Sequence, residues 1–340
     1  MTEEFLLKDL KKRPFLLAPM AGISDSAYRL TMRELGSGPV ISELVSANGL
    51  KYANEKTEKL MRFDIREKPV GIQIFGEDIE ALAMAAKRVQ ELGADFVDLN
   101  MGCPVKKIIK KGAGSALMKE PLLLSKILVA MKKAISIPLT IKIRTGWDAE
   151  NRNASEIVKV ATDAGVTWVA IHGRTRSQAY NGMADWDFIG DVKAKSKIPI
   201  IGNGDVKTPE VAVQRLLDYN LDGIMIGRGC LKNPNLLRES QWLLENRKSN
   251  KPQLEYITFF KTLYERTKNL YDEKFVMIQM RKLSTWASAG YPGAAQFRRD
   301  MFTTRSLTEA VSLIYGFYGK ISISELEINL EEKFLMGGHG

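Results

Sequence analysis

Between Phe15 and Gly229, eight short apolar, β-branched runs alternate with longer stretches of helical periodicity. The runs are FLLAP (15–19), VISELV (40–45), VGIQIFG (70–76), FVDLN (96–100), LTIKIRTG (139–146), WVAIHGR (168–174), PIIGNGD (199–205) and GIMIGRG (223–229). Strands separated by helices imply an α/β chain with a parallel sheet. Eight such units fit a (β/α)8 TIM barrel, whose usual length is ~250 residues. The competing doubly wound sheet normally carries a G-x-G-x-x-G turn after its first strand, and that pattern is missing.

The intervening segments carry helix signals. From Asp78 to Gly93, helical spacing puts Ile79, Leu82, Ala83, Ala86 and Val89 on one face. Asn153 with Glu156 reads as a capping box ahead of Ile157, Val160, Ala161 and Ala164. Thr208-Pro209 reads as an N-cap with proline at the first helical position, and Gly93 and Gly165 stand where helices should end.

The strand pattern stops near Lys251, and three or four helices with apolar stripes follow. The expected organisation is a barrel over 1–250, a separate helical domain over 251–323, and a charged tail over 324–340 that frays.

Composition removes several classes of function. No apolar run approaches the ~20 residues of a membrane span, and the opening MTEEFLLKDLKKRPF has no apolar signal core. A soluble, cytoplasmic protein, monomeric and without membrane partner, is expected. The only cysteines are Cys103 and Cys230 and the only histidines His172 and His339, so neither a disulfide framework nor a metal site is expected. A formal net charge of +10 points toward a polyanionic partner.

In a barrel of this kind, function gathers at the C-terminal ends of the strands. Polar residues collect there: Gln73, Asp98 and Asn100, Lys142 and Arg144, His172 and Arg174, Asn203 and Asp205, and Arg228. Each has an ordinary structural reading, but structural polar groups would not all converge on one mouth. Glycine-rich ends let backbone N–H groups approach a phosphate, so Asn203-Gly204-Asp205 and Gly227-Arg228 suit a phosphorylated cofactor. Lys142 could then stabilise an anionic ring at that cofactor's other end. A phosphate at one end and a negatively charged ring at the other describe reduced FMN.

Cys103 lies in N-M-G-C-P-V-K-K (100–107), directly after an apolar strand. Gly102 and Pro104 would hold that turn in one shape. Read structurally, Cys103 is a small buried hydrophobe; Cys230 has only that reading.

LAPMAGISD (17–25), DLNMGCPVKK (98–107), GAGSAL (112–117), KIRTGW (142–147), IHGRTR (171–176), GNGD (202–205) and MIGRG (225–229) together resemble the tRNA-dihydrouridine synthases, most nearly their bacterial DusB subgroup. The resemblance covers nearly the whole chain, including QMRK (279–282) and QFRR (296–299). It implies a flavin-dependent enzyme that uses NADPH to saturate the C5–C6 bond of a uridine in the tRNA D-loop. It further implies that Pro19, Met20 and Ala21 line the FMN, that Gln73 and Lys142 bond the ring, that His172 sits beside it, and that Asn203, Gly204, Asp205, Gly227 and Arg228 hold the phosphate end. Cys103 would be the catalytic acid, and a thiol with an ordinary pKa near ~8.5 suits that task at neutral pH.

Asn100, Arg144, Arg174 and Arg176 would face the substrate base and its neighbours, with Lys106, Lys107, Lys110 and Lys111 beside them. Arg281, Lys282, Arg298 and Arg299 would grip the tRNA backbone. A base inside a folded D-loop must be extruded before an active site reaches it, which gives a second, basic domain a purpose. The chain departs from the family pattern at Leu283, where a histidine is common, and in the stretch Ser24–Arg29. Two other readings stand beside this one: a small-molecule pyrimidine oxidoreductase of the dihydroorotate dehydrogenase kind, and an RNA-binding protein without catalysis.

Overall fold

The computed structural model describes residues 1–52, 55–245 and 250–321. Nine strands form one parallel sheet: β1 (Phe15–Leu17), β2 (Val40–Ile41), β3 (Val45–Ser46), β4 (Val70–Phe75), β5 (Phe96–Met101), β6 (Leu139–Arg144), β7 (Val169–His172), β8 (Ile200–Asn203) and β9 (Gly223–Ile226). The ladder runs from β2 through β4, β5, β6, β7, β8 and β9 to β1, with β3 also on β4. The result is a nearly closed eight-strand barrel wrapped by helices. At the seam, Gly38 N–H donates to the Phe15 carbonyl (2.8 Å) and Leu17 N–H to Ser37 Oγ (3.1 Å).

The predicted second strand, VISELV, is broken into β2 and β3. Val40 and Ile41 register with Val70 and Gly71, but Val45 registers with Ile74, so this edge holds one residue more than its partner. Ser42 causes the slip. Its hydroxyl accepts the Gln73 N–H (3.0 Å) in place of a main-chain carbonyl, the mark of a bulge.

Alternate residues point into the barrel. Near the N-terminal ends of the strands Leu16, Ile41, Phe96, Trp168, Ile201 and Met225 fill it. Gly71 makes room there, since a Cβ at this position would stand 2.2 Å from the Phe96 ring. The helix Glu3–Lys12 buries Leu6 and Leu10 against this layer and plugs that end, leaving the other end open.

Thr208 caps the helix Pro209–Asp218 as read, accepting from Val211 N–H. Asn153 precedes the helix Ala154–Asp163, but its side chain makes no capping bond; Nδ2 donates to the Met118 carbonyl instead (2.7 Å).

After the barrel, Tyr256–Leu270, Glu273–Ala287, Ala294–Thr303 and Leu307–Tyr318 form the helical C-terminal region. Phe260, Met280, Phe297, Ile314 and Tyr318 meet in its core. Arg266 joins this region to the barrel through Thr31 Oγ1 (3.0 Å) and Glu34 (2.5 Å). The predicted tail 324–340, with His339, lies outside the described residues. Among the described residues no helix is long and apolar enough to cross a membrane.

Candidate active site

The open end of the barrel holds a cavity of about 890 Å3. Pro19, Met20, Ala21, Gln73, Lys142, His172, Asn203, Gly204, Asp205, Gly227 and Arg228 line it, together with Cys103, Asn100 and Arg144. Arg174, Arg176, Arg281, Lys282, Arg298 and Arg299 are absent from its lining.

A buried hydrogen-bond chain climbs one wall. Asp98 on β5 accepts from Thr140 Oγ1 (2.6 Å) and from Gln73 Nε2 (2.7 Å). Gln73 Oε1 accepts from Asn100 Nδ2 (3.0 Å), and Asn100 Oδ1 accepts the Cys103 amide (3.0 Å). Burial pushes the Asp98 carboxyl up to about 6, against the lowering effect of its two hydrogen bonds.

The Cys103 turn is held on three sides. Asn100 takes its N–H, Ser115 Oγ donates to its carbonyl (3.0 Å), and Arg144 Nε donates to the Gly102 carbonyl (2.7 Å). Gly114 (φ +62°) lets the following segment press close, where a Cβ would stand 3.0 Å from the Cys103 carbonyl. The Cys103 side chain is 8% exposed. Burial pushes its thiol up, while the Val105 N–H and the Arg144 charge pull the other way. The thiol is therefore protonated at neutral pH.

Across the cavity, Lys142 Nζ donates to Asn203 Oδ1 (3.0 Å), and Asn203 Nδ2 donates to the Met225 carbonyl (2.7 Å). Asn203 is thus oriented toward Lys142 by its own side-chain bonds. Burial, then the neighbouring Arg144 charge, pushes the Lys142 ammonium down to about 8. Its only hydrogen-bond partner among the described residues is a neutral amide, so it invites an anion. Burial and the Lys142, Arg144 and Arg174 charges keep His172 neutral, well below its ordinary pKa.

Several residues expected to contact RNA are engaged inside the protein. Arg174 is 3% exposed. It pairs with Asp205 (2.9 Å), donates through Nε to the Asn181 carbonyl (3.1 Å) and through Nη2 to the Gly182 carbonyl (2.5 Å). Asp205 in turn accepts the Ala184 N–H (2.7 Å), so its carboxylate orders a loop at the cavity wall. Arg144 is likewise buried, with Nη1 on the Thr175 (2.9 Å) and Ala179 (2.8 Å) carbonyls. Arg281 bonds Thr304 within the helical region, and Lys282 bonds the Gly22 carbonyl.

Arg176 stacks over Trp147 (4.4 Å), with Lys119 also over that ring (4.9 Å). Arg298 is half-buried, and Arg299 is exposed with a bond to Gln296 (2.6 Å). Lys106, Lys107, Lys110 and Lys111 are exposed immediately beyond the Cys103 turn.

Tyr180 and Trp286 are among the lining residues that sequence reasoning missed. Tyr180 stands between Arg144 (5.8 Å) and Arg228 (5.3 Å), in a loop with no periodicity to single it out. Trp286 comes from the helix Glu273–Ala287, where it reads as part of an apolar stripe. Among the described residues no group of His, Cys, Asp and Glu is placed to hold a metal ion.

A family model described as "Dihydrouridine synthase (Dus)" matches residues 16–318. The tRNA-dihydrouridine synthase B of Pseudomonas syringae pv. tomato is 39% identical over 298 residues, 87% of this chain and 88% of the relative. That of Shewanella oneidensis is 36% identical over 313 residues, 91% of this chain and 97% of the relative. Among solved structures, histamine dehydrogenase from Rhizobium sp. 4-9 shares the fold, with a TM-score of 0.52 at 13% identity over 74% of this chain and 49% of that one.

Proposed function

The chain belongs to the dihydrouridine synthase family, and from that premise we propose that it reduces the C5–C6 double bond of a uridine in the tRNA D-loop to dihydrouridine. FMN is the proposed cofactor, NADPH the reductant and the cytoplasm the location. The single observation that carries the reading is that the protonated Cys103 thiol and the half-buried Lys142 ammonium share one cavity lining with Gly204, Gly227 and Arg228.

The donor set fits the cofactor. Gly204, Gly227 and Arg228 offer backbone and a guanidinium for a phosphate, and Lys142 offers a cation lacking an anionic hydrogen-bond partner. Pro19, Met20 and Ala21 would line its ring, with Gln73 and His172 at the edge. When bound and reduced, FMN supplies a hydride to C6 of uracil, the β-carbon of an unsaturated carbonyl.

Addition at C6 leaves negative charge conjugated to C5, and Cys103 then delivers its thiol proton to C5. Arg144 serves this step twice: it fixes the Gly102 carbonyl and its charge favours the thiolate left behind. Asn100 holds the cysteine amide and presents its own edge to the cavity. Lys142 stabilises negative charge on the ring side.

A free pyrimidine would need no basic surface beyond the cavity. Lys106, Lys107, Lys110 and Lys111, with Lys119 and Arg176 around Trp147, form a rim suited to RNA phosphates. The helices of 251–323 are proposed as a unit that grips the RNA, through Arg299 and Arg298. The test is incubation of the purified protein with FMN, NADPH and tRNA from a strain lacking dihydrouridine, followed by mapping of the modified position. Dihydrouridine confined to the D-loop supports the reading; its absence from flavin-loaded enzyme contradicts it.

A further inference from the structure

We infer that Lys282 positions the cavity's first loop and does not contact RNA, so that the helix Glu273–Ala287 forms a wall of the active site; this rests on the flavin reading above. Gln279, Lys282 and Trp286 share one face of that helix. Trp286 lines the cavity, Gln279 Nε2 donates to Asp25 Oδ2 (2.8 Å), and Lys282 Nζ donates to the Gly22 carbonyl.

Both barrel partners belong to the turn after β1. Pro19, Met20, Ala21 and Ile23 of that turn line the cavity. Gly22 sits at φ +71°, where glycine has the freedom to adopt other conformations. Met20 accepts the Ile23 (3.1 Å) and Ser24 (3.0 Å) amides, so the turn moves as a unit. A cation on the Gly22 carbonyl fixes its orientation, and with it the backbone that faces the ligand.

The ammonium is engaged by groups of the protein itself. Burial pushes the Lys282 ammonium down, with Glu43 and then Asp25 opposing that shift, and Glu43 enters through the bulge between β2 and β3. Glu43 Oε1 is buried and makes no hydrogen bond among the described residues. Lys282 is thus committed to the Gly22 carbonyl beside two buried carboxyl groups, which spends its charge inside the protein.

The test compares Lys282→Met and Lys282→Arg with wild type. Amide exchange over residues 20–25 is measured by mass spectrometry on flavin-free protein, FMN affinity by quenching of flavin fluorescence, and tRNA affinity by filter binding at two salt concentrations. K282M is expected to speed exchange in 20–25 at least tenfold and weaken FMN binding at least tenfold. Its tRNA affinity should stay within twofold of wild type, and K282R should recover most of both losses. Unchanged exchange, with or without weaker tRNA binding, overturns the inference, and so does faster exchange spread over the whole barrel. If wild type itself fails to bind FMN, the functional reading fails, while the exchange measurement still decides the role of Lys282.

Discussion

The side-chain oxygen of Asn100 accepts the backbone N–H of Cys103 at 3.0 Å. Through this bond the buried chain Asp98–Gln73–Asn100 determines where the thiol stands. Asn100→Ala should lower turnover on tRNA roughly tenfold to a hundredfold by misplacing the acid, while flavin content and anaerobic reduction by NADPH persist. Steady-state kinetics with tRNA, set beside stopped-flow flavin bleaching, check this. Loss of bleaching would place Asn100 in the cofactor site instead.

Asp98 carries a pH prediction. Its folded pKa of about 6 exceeds the ordinary 3.8, so protonation stabilises the fold at low pH. That contribution is complete below about 4 and is lost as pH rises through 6. The full displacement corresponds to up to ~3 kcal/mol. Asp98→Asn should therefore gain stability relative to wild type between pH 4.5 and pH 8, by ~1–3 kcal/mol in urea denaturation. A pH-independent difference would show that Asp98 does not titrate in this range.

Lys142 should tune the flavin. Removing its charge with Lys142→Met should lower the two-electron midpoint potential by about 30 mV or more, since ~1.4 kcal/mol of anion stabilisation is lost. Photoreduction against a reference dye measures this directly. An unchanged potential would remove Lys142 from the ring end of the cavity.

Two sets of basic residues should separate in salt titrations. Substituting alanine for Lys106, Lys107, Lys110 and Lys111 should reduce the slope of log affinity for tRNA against log salt, by about 0.7–0.9 for each phosphate that is no longer neutralised. Arg174→Ala should leave the slope intact and destabilise the fold by about 3 kcal/mol, because it removes the buried partner of Asp205 and of two loop carbonyls. A changed slope in Arg174→Ala would contradict its internal role.

The barrel was legible because its signals are local. Alternating strands and helices, the Thr208-Pro209 cap and the constrained Cys103 turn each depend on residues close in sequence. What escaped depends on contacts between distant segments. Ser42 breaks a strand only because its hydroxyl reaches the Gln73 amide on the next one. Arg174 looks like a substrate arginine until Asp205 closes on it from a neighbouring strand end. Lys282 meets Gly22 from the far end of the chain. The helix Glu3–Lys12 turns only Leu6 and Leu10 fully inward, too few apolar positions to stand out in a charged opening segment.

The central claim is that Cys103 supplies the proton at C5. The most direct measurement is single-turnover oxidation of the flavin by tRNA, in Cys103→Ala reduced beforehand with NADPH without oxygen. The variant is predicted to bind FMN and accept electrons from NADPH as wild type does, yet to be reoxidised by tRNA at least ~100-fold more slowly. Reoxidation at the wild-type rate, with dihydrouridine formed, would contradict the assignment of Cys103 as the acid.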